Sequence, residues 1–303
     1  MSNKNNGNRA TKTDILVTKK YRKRSQIGDI FHYLKFNKGA MAGFVIFSLI
    51  IVAFLGSLFI SWDAITDINV SSRFARPSAQ HIFGADNMGR DLFLRVIYGT
   101  RYSLAIGFGA VLISAFIGVV AGSFAGYYGG KADDIIMRLS DVLASIPGIL
   151  MGMVIVTVMG QSLINLIVAV GITGAPVYLR MTRASILTVR NNEFVEAAKA
   201  VGIANLRIIF TQVLPNGLSP VIVTVTAGLG ITIIVASSLS FLGFGVPVPH
   251  PEWGAVIAAG REYTRNAPWI TTFPGIFIMM TVLAFNLFGD GVRDALDPKL
   301  KRR

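Results

Sequence analysis

Six long apolar runs are the feature that most limits what this chain can fold into. A helix needs about 20 apolar residues to cross a hydrocarbon core of roughly 30 Å. The runs that reach or approach this length lie near residues 40–60, 102–128, 139–159, 163–180, 217–243 and 269–289. Because backbone polar groups in lipid must be satisfied within the protein, we predict an all-α integral membrane protein with six transmembrane helices.

The composition agrees with a membrane protein. Hydrophobic residues make up 52% of the chain, charged residues make up 15%, and the mean hydropathy is +0.58. These values are unusual for a soluble domain of this length. The third and fourth runs are separated by about Gly160-Gln161-Ser162, which predicts a tight hairpin. The polar, basic residues 1–39 precede the first run, so we interpret that run as an uncleaved anchor rather than a signal peptide.

The net charge of +13 is distributed unevenly among the loops. If the N-terminus is cytoplasmic, the cytoplasmic segments contain 22 of the 29 lysines and arginines. The positive-inside rule therefore predicts that both termini and the loop 181–216 are cytoplasmic. Trp62, Trp253 and Trp269 then fall on the outer side, where indole rings favour the membrane interface. We interpret the basic tail as a topology determinant that contacts anionic lipid, and not as a nucleic-acid-binding segment.

A charged insert between the fourth and fifth runs, residues 193–216, is predicted to form two short helices. We call this insert the elbow. Asn191 and Asn192 are candidates to cap its first helix, Gly202 is expected to end that helix with a positive φ, and Asn205 is a candidate to cap the second. The charged positions are Glu193, Glu196 and Lys199. The predicted apolar positions are Phe194, Ala197, Ala198 and Val201 on the first helix, and Ile208, Ile209 and Val213 on the second.

The elbow has more apolar surface than a solvated loop helix needs. Phe194, Val201, Ile208 and Ile209 would be exposed together. We therefore predict that the elbow docks into the groove of a partner protein.

The segment before the second run contains an amphipathic pattern. Leu92, Val96 and Gly99 share a helical face, which predicts a short helix lying on the membrane surface. A turn and cap at residues 86–89 is the preferred interpretation of the preceding segment, and a catalytic role for Asp86 or Asp91 is the alternative.

The second run carries small residues at every fourth position. Such a strip lets another helix approach closely, so it predicts a packing face. A sliding surface in a gate is the alternative interpretation. The strip consists of Ala110, Ser114, Gly118, Gly122, Gly126 and Gly130.

No motif for covalent, metal or nucleotide chemistry is present in the sequence. His32, His81 and His250 are scattered, and the chain has no cysteine. The stretch 129–132, GGKA, lacks the first glycine and the Ser/Thr of a phosphate-binding loop. We therefore predict a non-enzymatic chain without a cofactor.

A single carboxylate, Asp141, enters a predicted span. We expect it to form a local ion pair with Arg138 rather than a proton relay. Ion-coupled carriers usually bury charged relay groups within their spans, and Asp141 alone does not supply such a relay. If the chain takes part in transport, its energy source is therefore predicted to lie on another polypeptide.

Several motifs resemble those of ABC-transporter permeases. Glu196-Ala197-Ala198, Gly202 and Leu214-Pro215-Asn216 are similar to the cytoplasmic "EAA" loop of that family. Further stretches resemble the second, C-type permease subunit of the dipeptide/oligopeptide branch. They are 83–91, FGADNMGRD; 239–245, LSFLGFG; 249–254, PHPEWG; 285–291, FNLFGDG; and 293–298, RDALDP.

The resemblance implies the type I importer fold in a bacterial or archaeal cell membrane. It also implies a homologous second permease, two ATP-binding subunits and an extracytoplasmic peptide-binding protein as partners. The residues implied to couple to the ATPase are Glu193, Glu196, Ala197, Ala198, Gly202, Leu214 and Pro215.

The fifth run offers candidates for the transport pathway. Thr224, Gly228 and Thr232 lie on one helical face, and small or hydroxylated side chains make a weakly polar wall. Ordinary helix packing is an equal alternative. We expect a core of residues 102–290 with the coupling loop 181–216, preceded by the peripheral span 40–60 and the outer segment 61–101 and followed by the tail 291–303.

The sequence leaves other functional classes open. An ion-coupled carrier or solute channel is the alternative, and a membrane enzyme is the third class. Short peptides are the preferred substrate because no histidine or cysteine in the predicted spans would serve a soft metal. Nickel, glutathione and other small solutes remain open.

Overall fold

The computed structural model describes residues 38–296. Most of the predicted N-terminal tail, including His32, and the last seven residues lie outside the described part. The eleven α-helices of that part are α1 Lys38–Ser57, α2 Trp62–Thr66, α3 Leu92–Tyr128, α4 Gly130–Ser145, α5 Gly148–Met159, α6 Leu163–Val189, α7 Glu193–Ala200, α8 Asn205–Ile208, α9 Leu214–Leu239, α10 Trp253–Gly260 and α11 Trp269–Leu296. The π-helical segment Ile209–Val213 joins α8 to α9, and a second one, Ser240–Phe244, extends α9, so that Asn205–Phe244 is one stretch of 40 residues.

Five stretches are long and apolar enough to span a membrane, namely α1, α3, α6, α8–α9 and α11. The sixth candidate is the pair α4 and α5, which is bent by 90°. We predicted a continuous third span over 139–159, and that prediction is wrong in its geometry. Pro147 has no backbone N–H and disfavours helical backbone at the residue before it, so Ile146 is extended (φ −95°, ψ 130°).

The hairpin after the bent pair forms where it was predicted. Gly160 has a positive φ of 86°, and Ser162 caps α6 by accepting a hydrogen bond from the Asn165 backbone N–H. The Asn165 amide donates to the carbonyl oxygens of Met159 and Gly160, at 2.8 and 3.0 Å. These bonds satisfy the free carbonyls at the end of α5.

The small-residue strip of α3 is a packing face, as predicted, and the helix that packs on it is α6. A Cβ on Gly118 would lie 2.5 Å from Cβ of Tyr178, and a Cβ on Gly122 would lie 2.6 Å from the carbonyl oxygen of Leu179. Ser114 donates a hydrogen bond to the Gly171 carbonyl at 2.6 Å. The two backbones therefore touch along most of the strip. Gly130 lies beyond the end of α3, and a Cβ there would contact nothing.

Helix α1 packs against α3 and α11. A Cβ on Gly43 would lie 2.7 Å from Cβ of Leu287, and the Phe47 and Phe285 rings meet edge to face. Much of the opposite side of α1 is exposed, including Phe44 and Val52. In an integral membrane protein this surface suits lipid contact.

The separate surface helix predicted around Leu92 is wrong. Residues 92–101 form the first turns of α3, which is continuous to Tyr128. Leu92 and Val96 are fully buried, and the Val96 carbonyl accepts a hydrogen bond from the Trp253 indole at 2.9 Å. Trp253 is also fully buried, so it is a core residue and not an interfacial anchor. The amphipathic face belongs to a helix covered by α10 rather than by lipid.

The Asp86 carboxylate organises the turn that precedes α3. It accepts hydrogen bonds from the backbone N–H groups of Met88 and Arg90 and from the Arg90 guanidinium, the last at 2.7 Å. Asp91 caps α3 by accepting from the Leu94 N–H. Asp86 thus has the turn role that we predicted for residues 86–89, whereas the cap at Asp91 was not predicted.

A buried carboxylate, Glu252, caps α10. It accepts hydrogen bonds from the backbone N–H groups of Gly254 and Ala255, both at 2.9 Å, and from the Ser103 hydroxyl on α3. Burial raises the pKa of the Glu252 carboxyl, while these hydrogen bonds act in the opposite direction. Glu252 therefore ties α10 to α3 at the end of the bundle away from the elbow.

The predicted pairing of Asp141 with Arg138 is wrong. Asp141 on α4 pairs instead with Arg180 on α6, at 2.8 Å, and both side chains are well exposed. The sequence spacing pointed to a neighbour on the same helix, but the fold brings the arginine of another helix closer.

Candidate functional site

The elbow begins with α7 and turns at Gly202. Asn192 occupies the N-cap position without a side-chain hydrogen bond. Gly202 has a φ of 82°, as predicted, and its N–H donates to the Lys199 carbonyl while the Ile203 N–H donates to the Ala198 carbonyl. These two bonds form the Schellman motif that ends many helices. The turn therefore depends on a residue that tolerates a left-handed backbone.

The predicted cap at Asn205 is wrong. Ala204 is the N-cap of α8, and the Asn205 side chain instead accepts a hydrogen bond from the Tyr127 hydroxyl at 2.9 Å. The Lys199 ammonium lies over the Tyr127 ring, 5.3 Å from its centre. Asn205 therefore attaches the elbow to the end of α3.

The elbow rests on the ends of α3 and α6 through its own apolar cluster. Val195, Ile208 and Ile209 are fully buried against Tyr127 and Ile186. The prediction that Ile208 and Ile209 are exposed for docking is wrong. Ala198 and Val213 are also buried in this cluster, and Leu214 is partly buried beside it. These side chains attach the elbow to its own bundle.

A second apolar face of the elbow stays exposed. Phe194, Val201, Leu206 and Phe210 expose 41%, 81%, 54% and 42% of their surface. Of these, Leu206 and Phe210 were missed by our sequence interpretation. The available signal in the sequence was the i, i+4 spacing of Leu206 and Phe210, which places these two side chains on one face of the helix. The predicted coupling residues that are exposed with this face are Glu193, Glu196, Ala197, Gly202 and Pro215.

Ion pairs and hydrogen bonds hold the helices beside the elbow. Arg183 on α6 forms a two-pronged pair with Asp133 on α4, at 2.5 and 2.6 Å. Arg190, just after α6, donates to the Gly126 carbonyl on α3 at 2.8 Å. Paired guanidinium–carboxylate bonds are directional, so they restrict how these helix ends can move. The base on which the elbow rests is thus well defined.

A cavity of about 650 Å³ opens between α6, α9 and the end of α11. It contains all three predicted pathway residues, Thr224, Gly228 and Thr232. Its other lining residues are Gly174, Val177, Tyr178, Met181, Ser219, Pro220, Val223, Ala227, Ile231 and Arg293. That this cavity belongs to the transport pathway remains a prediction.

The cavity wall is mostly apolar, with a few polar groups. The Thr224 hydroxyl donates to the Pro220 carbonyl of its own helix at 2.9 Å, so part of its polarity is satisfied within the helix. The Tyr178 hydroxyl lies directly against Gly228, where a Cβ would overlap it. Gly228 thus makes room for the tyrosine. Within residues 38–296 no group of three or more histidine, aspartate or glutamate side chains is placed to hold a metal ion.

The comparison with protein families decides the identity of the chain. Residues 118–302 match the family described as "Binding-protein-dependent transport system inner membrane component". The match covers more than half of the sequence. The chain belongs to this family. Membership favours an importer permease over the ion-coupled carrier or channel, and the similarity to the C-type subunits of peptide importers is confirmed.

Individual relatives support the assignment along almost the whole chain. The dipeptide transport system permease protein DppC of Alkalihalophilus pseudofirmus is 44% identical over 274 residues, covering 90% of each chain. The glutathione transport system permease protein GsiD of Pectobacterium atrosepticum is 42% identical, covering 89% of each. The di/tripeptide transport system permease protein DppC of Pseudomonas aeruginosa is 40% identical, covering 91% of this chain and 93% of its own.

A solved structure supports the fold. An inward-facing structure of the MetNI methionine ABC transporter matches with a TM-score of 0.55 at 19% identity, over 67% of this chain and 96% of that chain. The importer-permease fold that we predicted from the sequence is therefore confirmed.

Proposed function

We propose that this chain is one of two homologous permease subunits of an ATP-driven importer of short peptides. ATP-binding subunits dock on the elbow, and an extracytoplasmic binding protein delivers the peptide to the opposite face. The observation that carries the proposal is the exposed apolar face of the elbow, in a chain whose relatives are named as peptide and glutathione permeases. Hydrolysis takes place on the ATP-binding subunits and not on this chain.

The exposed face of the elbow is suited to a protein groove. Phe194, Val201, Leu206 and Phe210 supply the apolar contacts, and the exposed Glu193, Glu196 and Lys199 supply a polar rim. The buried side of the elbow is attached to α3 and α6. A displacement of the docked partner would therefore be transmitted to two long helices of the bundle, one of which lines the cavity.

The relatives and the cavity together support the proposed substrate class. The substrates named for the relatives, dipeptides and glutathione, are short peptides with free carboxylates. The cavity, with Thr224, Gly228 and Thr232 in its wall, would form part of the pathway shared with the second permease. Its weakly polar wall suits passage of peptides with different side chains.

Reconstitution tests the proposed function. We expect the purified chain alone to show no ATPase activity, and the complex with the second permease, the ATP-binding subunits and the binding protein to import a labelled dipeptide when ATP is supplied. The measurement is uptake into proteoliposomes together with phosphate release. Uptake by this chain alone, driven by a proton gradient, would show that the proposal is wrong.

Cysteine labelling tests the proposed topology, in which both termini and the elbow are cytoplasmic. The chain has no native cysteine, so single substitutions give a clean signal. Ala200→Cys in the elbow and Ala259→Cys on α10 both replace exposed residues. In intact cells a membrane-impermeant maleimide should label only the Ala259 variant, and in inside-out vesicles only the Ala200 variant. The reverse pattern would overturn the orientation inferred from the positive-inside rule.

A further inference from the structure

Arg293 brings a charge into a cavity whose other twelve described lining residues carry none. Arg293 belongs to the end of α11, and the remaining wall is apolar, hydroxylated or glycine. No ion pair joins its guanidinium to a carboxylate among the described side chains. The preceding acidic residue of α11, Asp290, is exposed and forms no such pair with it. A guanidinium at the rim of a largely apolar cavity attracts anions, and carboxylates best match its planar geometry.

The level of Arg293 in the cavity follows from the packing of α9 against α11. A Cβ on Gly289 would lie 3.2 Å from the Ala227 nitrogen, and a Cβ on Gly230 would lie 3.3 Å from the Asn286 side-chain oxygen. The two helices are therefore antiparallel, with position 289 beside 227 and position 286 beside 230. Continued by one turn, this register places Arg293 about level with Val223, which also lines the cavity.

The Tyr178 hydroxyl lies at a different height along α9 in the same cavity, beside Gly228. Five residues of α9 separate position 228 from position 223, which is roughly 7.5 Å at the helical rise of 1.5 Å per residue. Two residues of extended peptide span about 7 Å. A dipeptide can thus reach from the hydroxyl to the level of the guanidinium.

We propose that Arg293 contacts a carboxylate of the transported peptide and makes the permease favour acidic over basic peptides. This inference rests on the proposed function, since it assumes that the cavity carries the peptide. The guanidinium lies on the elbow side of the cavity, so the contact forms on the half of the pathway nearer the ATP-binding subunits. Arg293 is then a specificity-determining residue and not part of the coupling surface.

The test compares two labelled dipeptides, Gly-Glu and Gly-Lys, in proteoliposomes that contain the complete importer. Each peptide is supplied preloaded on an excess of binding protein, so that passage through the permease limits uptake. The quantity measured is the ratio of Gly-Glu to Gly-Lys uptake. Because both rates come from the same complex, the ratio is independent of how much complex is recovered.

We expect Arg293→Gln to lower the ratio roughly threefold, as a partly exposed charge contact should. Arg293→Glu should lower it further, and Arg293→Lys should keep it near the wild-type value because the charge is retained. Lys131→Gln is the matched control. It removes one exposed positive charge at the same end of the bundle, outside the cavity, and should leave the ratio unchanged.

The outcomes separate this inference from the proposed function. If the wild-type complex imports both peptides, and Arg293→Gln and Arg293→Glu show the same ratio of Gly-Glu to Gly-Lys uptake as the wild type, the role of Arg293 is overturned. The proposed importer function is then unaffected. An equal decrease of the uptake ratio in Lys131→Gln would also overturn the role of Arg293. The decrease would then come from the general surface potential and not from a contact in the cavity. Absence of wild-type uptake would instead contradict the proposed function. Weaker ATPase binding in Arg293→Gln, with an unchanged ratio in the remaining uptake, would assign the arginine to the partner interface and refute the inference.

Discussion

Replacing Gly122 by valine should prevent the permease from accumulating as a folded protein in the membrane. A Cβ at this position would already lie 2.6 Å from the Leu179 carbonyl oxygen and 2.8 Å from Cβ of Thr182. Neither atom belongs to the end of a flexible side chain, so α3 and α6 must separate to admit the new group. We expect a cost of about 3 kcal/mol or more, at the upper end of typical overpacking effects. Recovery of monodisperse protein by size-exclusion chromatography after detergent extraction is the measurement.

The matched control for Gly122→Val is Gly275→Val on α11. A Cβ at Gly275 would contact nothing within 4 Å, so the same substitution adds a side chain without a clash. We expect near-normal recovery of this variant. Equal recovery of both variants would contradict the inference that close backbone contact along the small-residue strip holds α3 and α6 together.

Replacing Gly202 by valine should abolish ATP-driven uptake while leaving membrane insertion intact. The backbone at Gly202 has a φ of 82°, which costs roughly 1–2 kcal/mol for a residue with a Cβ and more for a β-branched one. We therefore expect the Schellman turn to open and the angle between α7 and α8 to change. The spans do not depend on this turn. The measurements are co-purification of the ATP-binding subunits with the tagged permease and peptide uptake.

Gly202→Asn distinguishes backbone strain from simple crowding at the surface. A Cβ at this position would contact nothing within the chain, and asparagine tolerates the left-handed conformation better than other residues with a Cβ. We expect Gly202→Asn to keep most of the ATPase binding and uptake. Normal complex recovery and normal uptake with Gly202→Val would refute the proposal that the elbow couples ATP hydrolysis to transport.

Features that depend on neighbouring residues were predicted well. The left-handed turn at Gly202, the hairpin at Gly160 and the turn at Asp86 all formed where they were expected. Each is decided within a few residues, because backbone sterics and short-range hydrogen bonds act over that distance. The small-residue strip of α3 was equally predictable, since helical spacing alone places its members on one face.

Features that depend on distant residues were predicted less well. The pattern around Leu92 and Val96 indicates an amphipathic helix correctly, but a hydrophobic face does not specify what covers it. Here Trp253, more than 150 residues away, takes the place that we assigned to lipid. The partner of Asp141 was missed for the same reason, because Arg180 approaches it only after α4 and α6 pack.

The elbow shows the division between local pattern and tertiary contact most clearly. Its amphipathic helices, its charged positions and its turn at Gly202 follow from the order of residues. Which apolar residues remain exposed does not, because the elbow has two apolar faces and helical periodicity cannot rank them. Packing on Tyr127 and Ile186 buries Ile208 and Ile209 and leaves Leu206 and Phe210 exposed. Apolar burial has no preferred direction, so only the assembled bundle decides which face attaches to it and which stays available to a partner.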